Sequence, residues 1–297
     1  MIVDKIESYL GGEALVLDEA LVKAMGDQVV ASTKRQFMQN QAPVVGSIRP
    51  SALGKCPRQG WYVHKGTQPD EPLAGRARFV FWFGDVVETA VLGLARMAGC
   101  PVSDFQREVP MEIANVPMVG HIDALLQDKD GPVVVDVKSM SSVGFKMWKE
   151  NGPSNDFGYV DQLQAYMRGL DIQRALFVCV NKEQGHLAEY EIGRNDEMFV
   201  PRAEAYVRQA TQATEPERAY KLEDEIVKAQ GRENAEKILY SNKKAMILSN
   251  KGAWWSVKTG RGLLPVTCGY CSFKERCWTG VKLEAEEGSK PKWVMEG

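Results

Sequence analysis

Two apolar runs joined by a polar turn mark the middle of the chain. Residues 118–126 read MVGHIDALL, residues 127–131 QDKDG and residues 132–139 PVVVDVKS. Apolar runs on either side of a turn ending in Asp-Gly predict a β-hairpin. The second run is short and rich in valine, which predicts a buried central strand. Side chains alternate across a strand, so Asp136 and Lys138 share one face while Val135 and Val137 share the other. An ionised carboxylate in such a strand is costly unless a cation or a partner charge meets it.

The flanking pattern alternates helices with strands. Residues 14–40 predict a helix striped by Leu15, Leu17, Leu21, Val22 and Met25 and stopped at Ala42-Pro43. Ser51 is placed to cap a short helical turn ahead of Cys56, and residues 66–75 read as a loop. Residues 76–99 predict a long helix that sets Phe81, Gly84, Glu88 and Val91/Leu92 near one face, with Glu88 pointing inward. Gln106–Ile113 reads as a strand, residues 141–156 as a mixed segment, and Tyr159–Leu170 as a helix with Gln162 and Tyr166 on one face. Arg174–Asn181 and His186–Ile192 read as paired strands. Residues 197–213 and 222–249 are charged and helical, the latter a solvated arm. Residues 252–267 form a loop, and the polar tail after Trp278 is expected to be disordered.

The central hairpin carries the first candidate chemistry. Asp123 lies on the neighbouring strand, so two carboxylates and Lys138 converge in a way that suits a hard divalent cation. A plain structural Asp136–Lys138 pair fits the same residues. Glu88 has two readings as well: a salt bridge to Arg76, Arg78 or Arg96, or a further metal ligand, with Asp85 one turn earlier as its competitor. His121 is read as supporting or structural rather than as a ligand.

Composition narrows the class without choosing the partner. The chain has 297 residues, 44% hydrophobic and 26% charged, which is ordinary for a globular protein with a sizeable core. A net charge of −2 argues against coating nucleic acid through bulk charge, but leaves room for a local basic channel. No signal peptide and no apolar stretch of membrane-spanning length is visible, so a cytoplasmic, intracellular setting without membrane contact is expected (a host cytoplasm if the source is viral). No G-x-x-x-x-G-K-[ST] phosphate loop is present, which excludes that mode of ATP hydrolysis. Among the six cysteines, Cys56 stands alone upstream while Cys268, Cys271 and Cys277 form C-x2-C-x5-C. Such spacing suits a metal, zinc or iron–sulfur, better than intracellular disulfides. Cys100 and Cys179 read as packing residues.

The order Glu88, Gly120-His-Ile-Asp123, Asp136-Val-Lys138 and Gln162-x3-Tyr166 resembles the PD-(D/E)XK nuclease superfamily, and within it the RecB-type branch with its Q-x3-Y motif. The lone cysteine followed by C-x2-C-x5-C is similar to the iron–sulfur members of that branch, which include the AddB nuclease domain and CRISPR-associated exonucleases. The resemblance covers roughly residues 48 to 280. One departure is that many relatives carry histidine where Glu88 stands.

The resemblance implies an α/β fold: a mixed central sheet flanked by helices, as in restriction endonucleases, closed by a cysteine-clustered, metal-clipped carboxyl-terminal region. It divides the chain into an N-terminal helical segment (1–47), the nuclease domain (48–280) and a polar tail (281–297). It further implies Mg²⁺- or Mn²⁺-dependent hydrolysis of DNA. Glu88, Asp123, Asp136 and the Val137 carbonyl would hold the cation, Lys138 would act in catalysis, and Gln162 and Tyr166 would position substrate. Cys56, Cys268, Cys271 and Cys277 would hold a structural [4Fe–4S] cluster, with structural Zn²⁺ as the alternative. Arg58, Lys258 and Arg261 are secondary candidates for phosphate contacts, and Trp254 and Trp255 for base stacking. The expected activity is exonucleolytic, in recombination, repair, end processing or phage-type DNA metabolism, with recombination or helicase proteins as possible partners. The alternatives are a structure-specific or CRISPR-type processing nuclease, or a catalytically idle DNA-end binding module.

Overall fold

The structure, a computed structural model, describes residues 2–12, 17–38, 45–70, 75–155, 157–219, 254–256, 261–263, 266–278, 281–284 and 292–295. The chain divides into two units, residues 1–55 with 73–208 and residues 56–72 with 209–297. The predicted helix over 222–249, Leu15 and Lys258 lie outside the described residues.

The first unit is built on a five-stranded mixed sheet. It contains β1 (Val102–Ser103), β4 (Ala124–Asp128), β5 (Gly131–Met140), β6 (Arg174–Asn181) and β7 (Leu187–Gly193), ordered β1-β4-β5-β6-β7. β5 runs antiparallel to β4 and parallel to β6, so the chain must cross over between β5 and β6. Two helices make that crossing: α5 (Ser142–Asn151) and α6 (Tyr159–Leu170). The alternation of β5 separates two cores. Val133, Val135 and Val137 join Val91, Leu92 and Ala95 of α4 (Gly75–Met97) and Ile2, Val3 and Ile6 of α1 (Ile2–Leu10). On the other face, Val134 packs with Phe145 and Trp148 of α5, Leu163 and Tyr166 of α6, and Phe177 of β6. Full burial of each large side chain contributes about 1.5–3 kcal/mol. Cys100 and Cys179 are buried in these cores as packing residues, and burial pushes the Cys179 thiol up to about 12.

Several sequence expectations need correction. The run 118–126 is not one strand. Val116–His121 is β3, paired only with β2 (Glu108–Ile113) in a separate ribbon, and Ile122–Asp123 separates it from β4. The hairpin turn itself is as predicted, with Asp128 opposite Gly131. Residues 141–156 contain α5, capped by Ser141 accepting from the Gly144 N–H. Ser51 caps nothing: it lies inside a 3₁₀ turn, Pro50–Ala52, whose N-cap Arg49 makes no side-chain cap bond. In α4 the face is only partly apolar, since Phe81 remains 52% exposed. The second helix, α2 (Glu19–Phe37), turns Leu21 inward but leaves Val22 exposed, and Leu17, also exposed, precedes it.

The second unit contains α3 (Pro57–His64), part of the region after α7 (Asp196–Thr211), and a small four-stranded sheet. That sheet has the order β10-β11-β9-β8, from β8 (Trp254–Ser256), β9 (Arg261–Leu263), β10 (Val281–Glu284) and β11 (Lys292–Met295). The tail expected to be disordered thus contributes an antiparallel pair, β10 with β11. Short helical turns α8 (Val266–Gly269) and α9 (Lys274–Cys277) carry Cys268 and Cys277, and Cys271 lies between them.

Within the first unit, α6 starts at Gly158, whose φ of 76° is left-handed. A Cβ there would lie 2.2 Å from the Leu53 carbonyl oxygen, so backbone meets backbone. Replacing it combines a disfavoured dihedral with a clash that no rotamer can relieve. Gly158→Ala is expected to lower unfolding stability by at least about 2 kcal/mol in a denaturant melt; wild-type stability would contradict this account of the α6 start.

Candidate active site

The site begins where two strands part. Ala124 is the last residue of β4 to pair with β5, opposite Val135. Beyond it the chain turns away into the β2–β3 ribbon, extended by the Ile122 N–H donating to the Arg107 carbonyl at 3.1 Å. The edge of β5 past Val135 is therefore uncovered. Its Val137 N–H donates instead to Asp123 Oδ2, at 2.7 Å. In a strand the N–H and C=O of one residue point to the same edge, so the Val137 carbonyl faces this opening too. Asp123 reaches the site from the break between strands, whereas His121 ends β3 and is exposed.

Asp136 and Lys138 project together from β5 on the α6 side. The Lys138 ammonium donates to Asp136 Oδ1 at 2.7 Å. It also lies 2.6 Å from Oδ2, a charge contact without hydrogen-bond geometry, so that buried oxygen has no hydrogen-bond partner. Lys138 Nζ further sits 5.0 Å from the centroid of the Tyr159 ring. Burial pulls its pKa down, but Asp136 and Asp123 outweigh that and leave it raised.

Glu88 approaches from α4. Its partner is Gln106, whose side-chain amide donates to Oε1 at 2.6 Å, rather than any of the three arginines considered. The rival Asp85 is held by Arg35 and Gln36 of α2, at 2.7 and 3.1 Å. Burial, reinforced by Asp85 and Asp136, pushes the Glu88 carboxyl up to about 7 against the opposing Gln106 bond. Asp123 is raised by burial and then by the Glu88 and Asp136 carboxylates, and Asp136 by burial against the pull of Lys138. Acids that raise one another's pKa are neighbours by definition of the effect.

Gln162 and Tyr166 complete the wall from α6, with the Gln162 amide 3.3 Å from the Tyr166 hydroxyl. Tyr166 is buried, which raises its pKa, and it feels the charges of Asp136 and Asp123. Gly120 is the necessary neighbour. A Cβ there would stand 2.6 Å from a Tyr166 ring carbon and 2.9 Å from Pro50, so only glycine lets the ribbon approach α6.

A profile of the PD-(D/E)XK nuclease superfamily matches residues 68–278. The chain belongs to this superfamily. Among solved structures it is similar to SSO0001, at 16% identity over 65% of this chain and 89% of that one, with a TM-score of 0.44. It is also similar to the alkaline exonuclease LHK-Exo from Laribacter hongkongensis, at 13% identity over 69% of this chain and 99% of that one, with a TM-score of 0.36. The same exonuclease in complex with dAMP matches at 13% identity, over 71% and 99%, with a TM-score of 0.37. No curated protein matches the chain in sequence.

In this PD-(D/E)XK chain, two side chains that the motif order does not contain join the candidate residues. Gln106 ties two of them together, because its backbone N–H donates to the Asp123 carbonyl at 3.2 Å while its side chain holds Glu88. Tyr159 supplies the aromatic face beside Lys138. Its spacing was the available signal: residues 159, 162 and 166 recur at i, i+3 and i+7 on one helix face.

The four cysteines all fall in the second unit, and none is in a disulfide. Burial raises the thiols of Cys268, Cys271 and Cys277, and each also feels the charge of Cys56. The Cys268 thiol interacts with the Trp278 side chain, and the Cys271 thiol with the Phe273 backbone. Arg58 is paired with Glu215 within the same unit. The side chains of Arg261, Trp254 and Trp255 lie outside the described part.

Among the described residues no three His, Cys, Asp or Glu side chains stand close enough together to chelate a metal ion as they lie. The donor chemistry at the acidic site still fits a hard cation: three carboxyls, an edge carbonyl and the buried Asp136 Oδ2, which has no hydrogen bond beside its charge contact with Lys138. Without a cation the raised Glu88 pKa makes the folded state the better proton binder. Its stabilisation is complete below the ordinary carboxyl pKa of about 4.3 and is lost as pH rises through about 7. Adding Mg²⁺ or Mn²⁺ is therefore expected to raise the melting temperature clearly at pH 8 and little at pH 5, as followed by scanning calorimetry. Equal shifts at both values would remove the buried acids as the cause.

Proposed function

We propose that the chain is a Mg²⁺- or Mn²⁺-dependent DNA exonuclease of the RecB/AddB-like branch, acting in recombination, repair, end processing or phage-type DNA metabolism. The observation that supports this most is the uncovered β5 edge, where Asp123 accepts from Val137 beside the Asp136–Lys138 pair. Glu88, Asp123 and Asp136, with the Val137 carbonyl, are the groups that would hold the cation. The chemistry such a cation supplies is positive charge against the phosphate oxygens and a more acidic water.

The side chains account for the rest of the hydrolysis. Water adds to phosphorus as the bond to the leaving sugar oxygen breaks. Lys138, kept charged by Asp136 and steered by the Tyr159 ring, donates to the attacked phosphate and offsets the charge that develops there. Tyr166, kept protonated by burial, and Gln162 donate toward the strand being cut and fix its register. The buried site keeps these dipoles oriented before substrate arrives, which is where their catalytic advantage lies.

Lys138→Ala is expected to reduce Mg²⁺-dependent cleavage of end-labelled DNA about 100-fold or more. Activity equal to wild type would remove this mechanism.

The proposal extends to a [4Fe–4S] cluster held by Cys56, Cys268, Cys271 and Cys277, with structural Zn²⁺ as the alternative. Four thiols in one unit suit either metal, and the role is structural: joining segments distant in sequence stabilises the fold. Anaerobically purified protein should be brown and contain iron and sulfide. A colourless preparation with stoichiometric zinc would replace the cluster with the alternative.

A further inference from the structure

One cation at the acidic site has no role in the chemistry described so far. Lys55 follows the 3₁₀ turn Pro50–Ala52, in a segment that packs against the start of α6 at Gly158. Its Cγ would lie 3.3 Å from a Cβ at Gly158, and the Leu53 carbonyl would lie closer still. The lysine stem therefore crosses Gly158, one residue from Tyr159, whose ring flanks the Lys138 ammonium. The backbone of the turn is pinned by the Lys55 N–H donating to the Ala52 carbonyl at 3.1 Å. Its side chain is exposed, and among the described residues it makes no ion pair or side-chain hydrogen bond.

This placement is unusual for a structural lysine. Lys138 is neutralised by Asp136, whereas Lys55 is brought toward Lys138 with no carboxylate of its own. The exposed ammonium keeps its head in solvent, open to an anion arriving there. A nucleic acid backbone provides such anions at regular spacing along the strand.

We infer that Lys55 is a positioning residue that binds a backbone phosphate next to the one under attack. The inference rests on the reading of the chain as a DNA nuclease and adds the register of the strand to it. Lys138 and Lys55 would grip consecutive parts of one strand, with Gln162 and Tyr166 on the same helix that Lys55 crosses. Contact with phosphate alone carries no base preference, so the effect should be independent of sequence.

The test uses the full chain and fluorescein-labelled DNA of two unrelated sequences, with Ca²⁺ replacing Mg²⁺ in the binding arm. Lys55→Gln keeps the stem and removes the charge; Lys55→Arg keeps the charge. Lys55→Gln should weaken binding to both sequences about tenfold and make the slope of log affinity against log salt shallower by about one. In the Mg²⁺ cleavage arm KM should rise while kcat changes little, and Lys55→Arg should retain most of both properties. Weaker binding with an unchanged salt slope, or no change at all, would overturn the role of Lys55 while leaving the nuclease reading in place. A wild-type chain that neither binds nor cuts DNA would instead sink that reading, and this inference with it.

Discussion

The N–H of Val137 is a buried donor in the central strand that has no neighbouring strand to meet. Such a group is costly unless it is paired. Asp123 pairs it with a carboxylate, and that single bond accounts for much of the site. It holds the segment between β3 and β4 at the β5 edge, so an acid rather than a strand covers the gap. Because Gln106 joins the Asp123 backbone to the Glu88 side chain, the position of α4 is referred to the same place. The gap is thus a consequence of divergence between strands, and the carboxyls line it because they replace main-chain partners.

Electrostatics sets the second constraint. Three carboxyls face one another with one neutralising lysine among them, and burial raises the pKa of all three. This arrangement works against folding, since paired hydrophobic residues in the same space would be cheaper. The two cores on either side of the sheet offset it, with α1 and α4 below and α5 and α6 above. A site of this kind persists only where the surrounding structure fixes it. The glycine at 120 is part of that fixing, because it admits Tyr166 against the ribbon.

The legible parts of the sequence were those with a strong period. β5, β6, α4 and α6 follow directly from their apolar spacing, and the Asp136–Lys138 pair follows from alternation along β5. The break at Ile122–Asp123 was hidden because MVGHIDALL is continuously compatible with a strand; only the separate partners of β3 and β4 divide it. α5 was obscured by the glycine and polar residues in SVGFKMWKEN, while Phe145 and Trp148 supply its buried side through tertiary packing. The exposed Phe81 defeats a helical-face argument for a similar reason: its face of α4 extends past the core that covers Val91 and Leu92. Gln106 carries no motif and joins the site through geometry that spacing does not specify, whereas Tyr159 shares the helix face of Gln162 and Tyr166 and was legible from that spacing.

The parallel registration of β6 on β5 also orders events during folding. The β4–β5 hairpin is local, closed by a tight turn between Asp128 and Gly131, and hairpins of this kind form early. It brings Asp123, Asp136 and Lys138 within reach of one another on its own. Tyr159 and Tyr166 arrive only when the two-helix crossover docks and β6 zips onto β5, a non-local step that is slower. The acidic residues are thus placed by local pairing and the aromatic wall by a non-local one, so the two halves of the site depend on different parts of the chain.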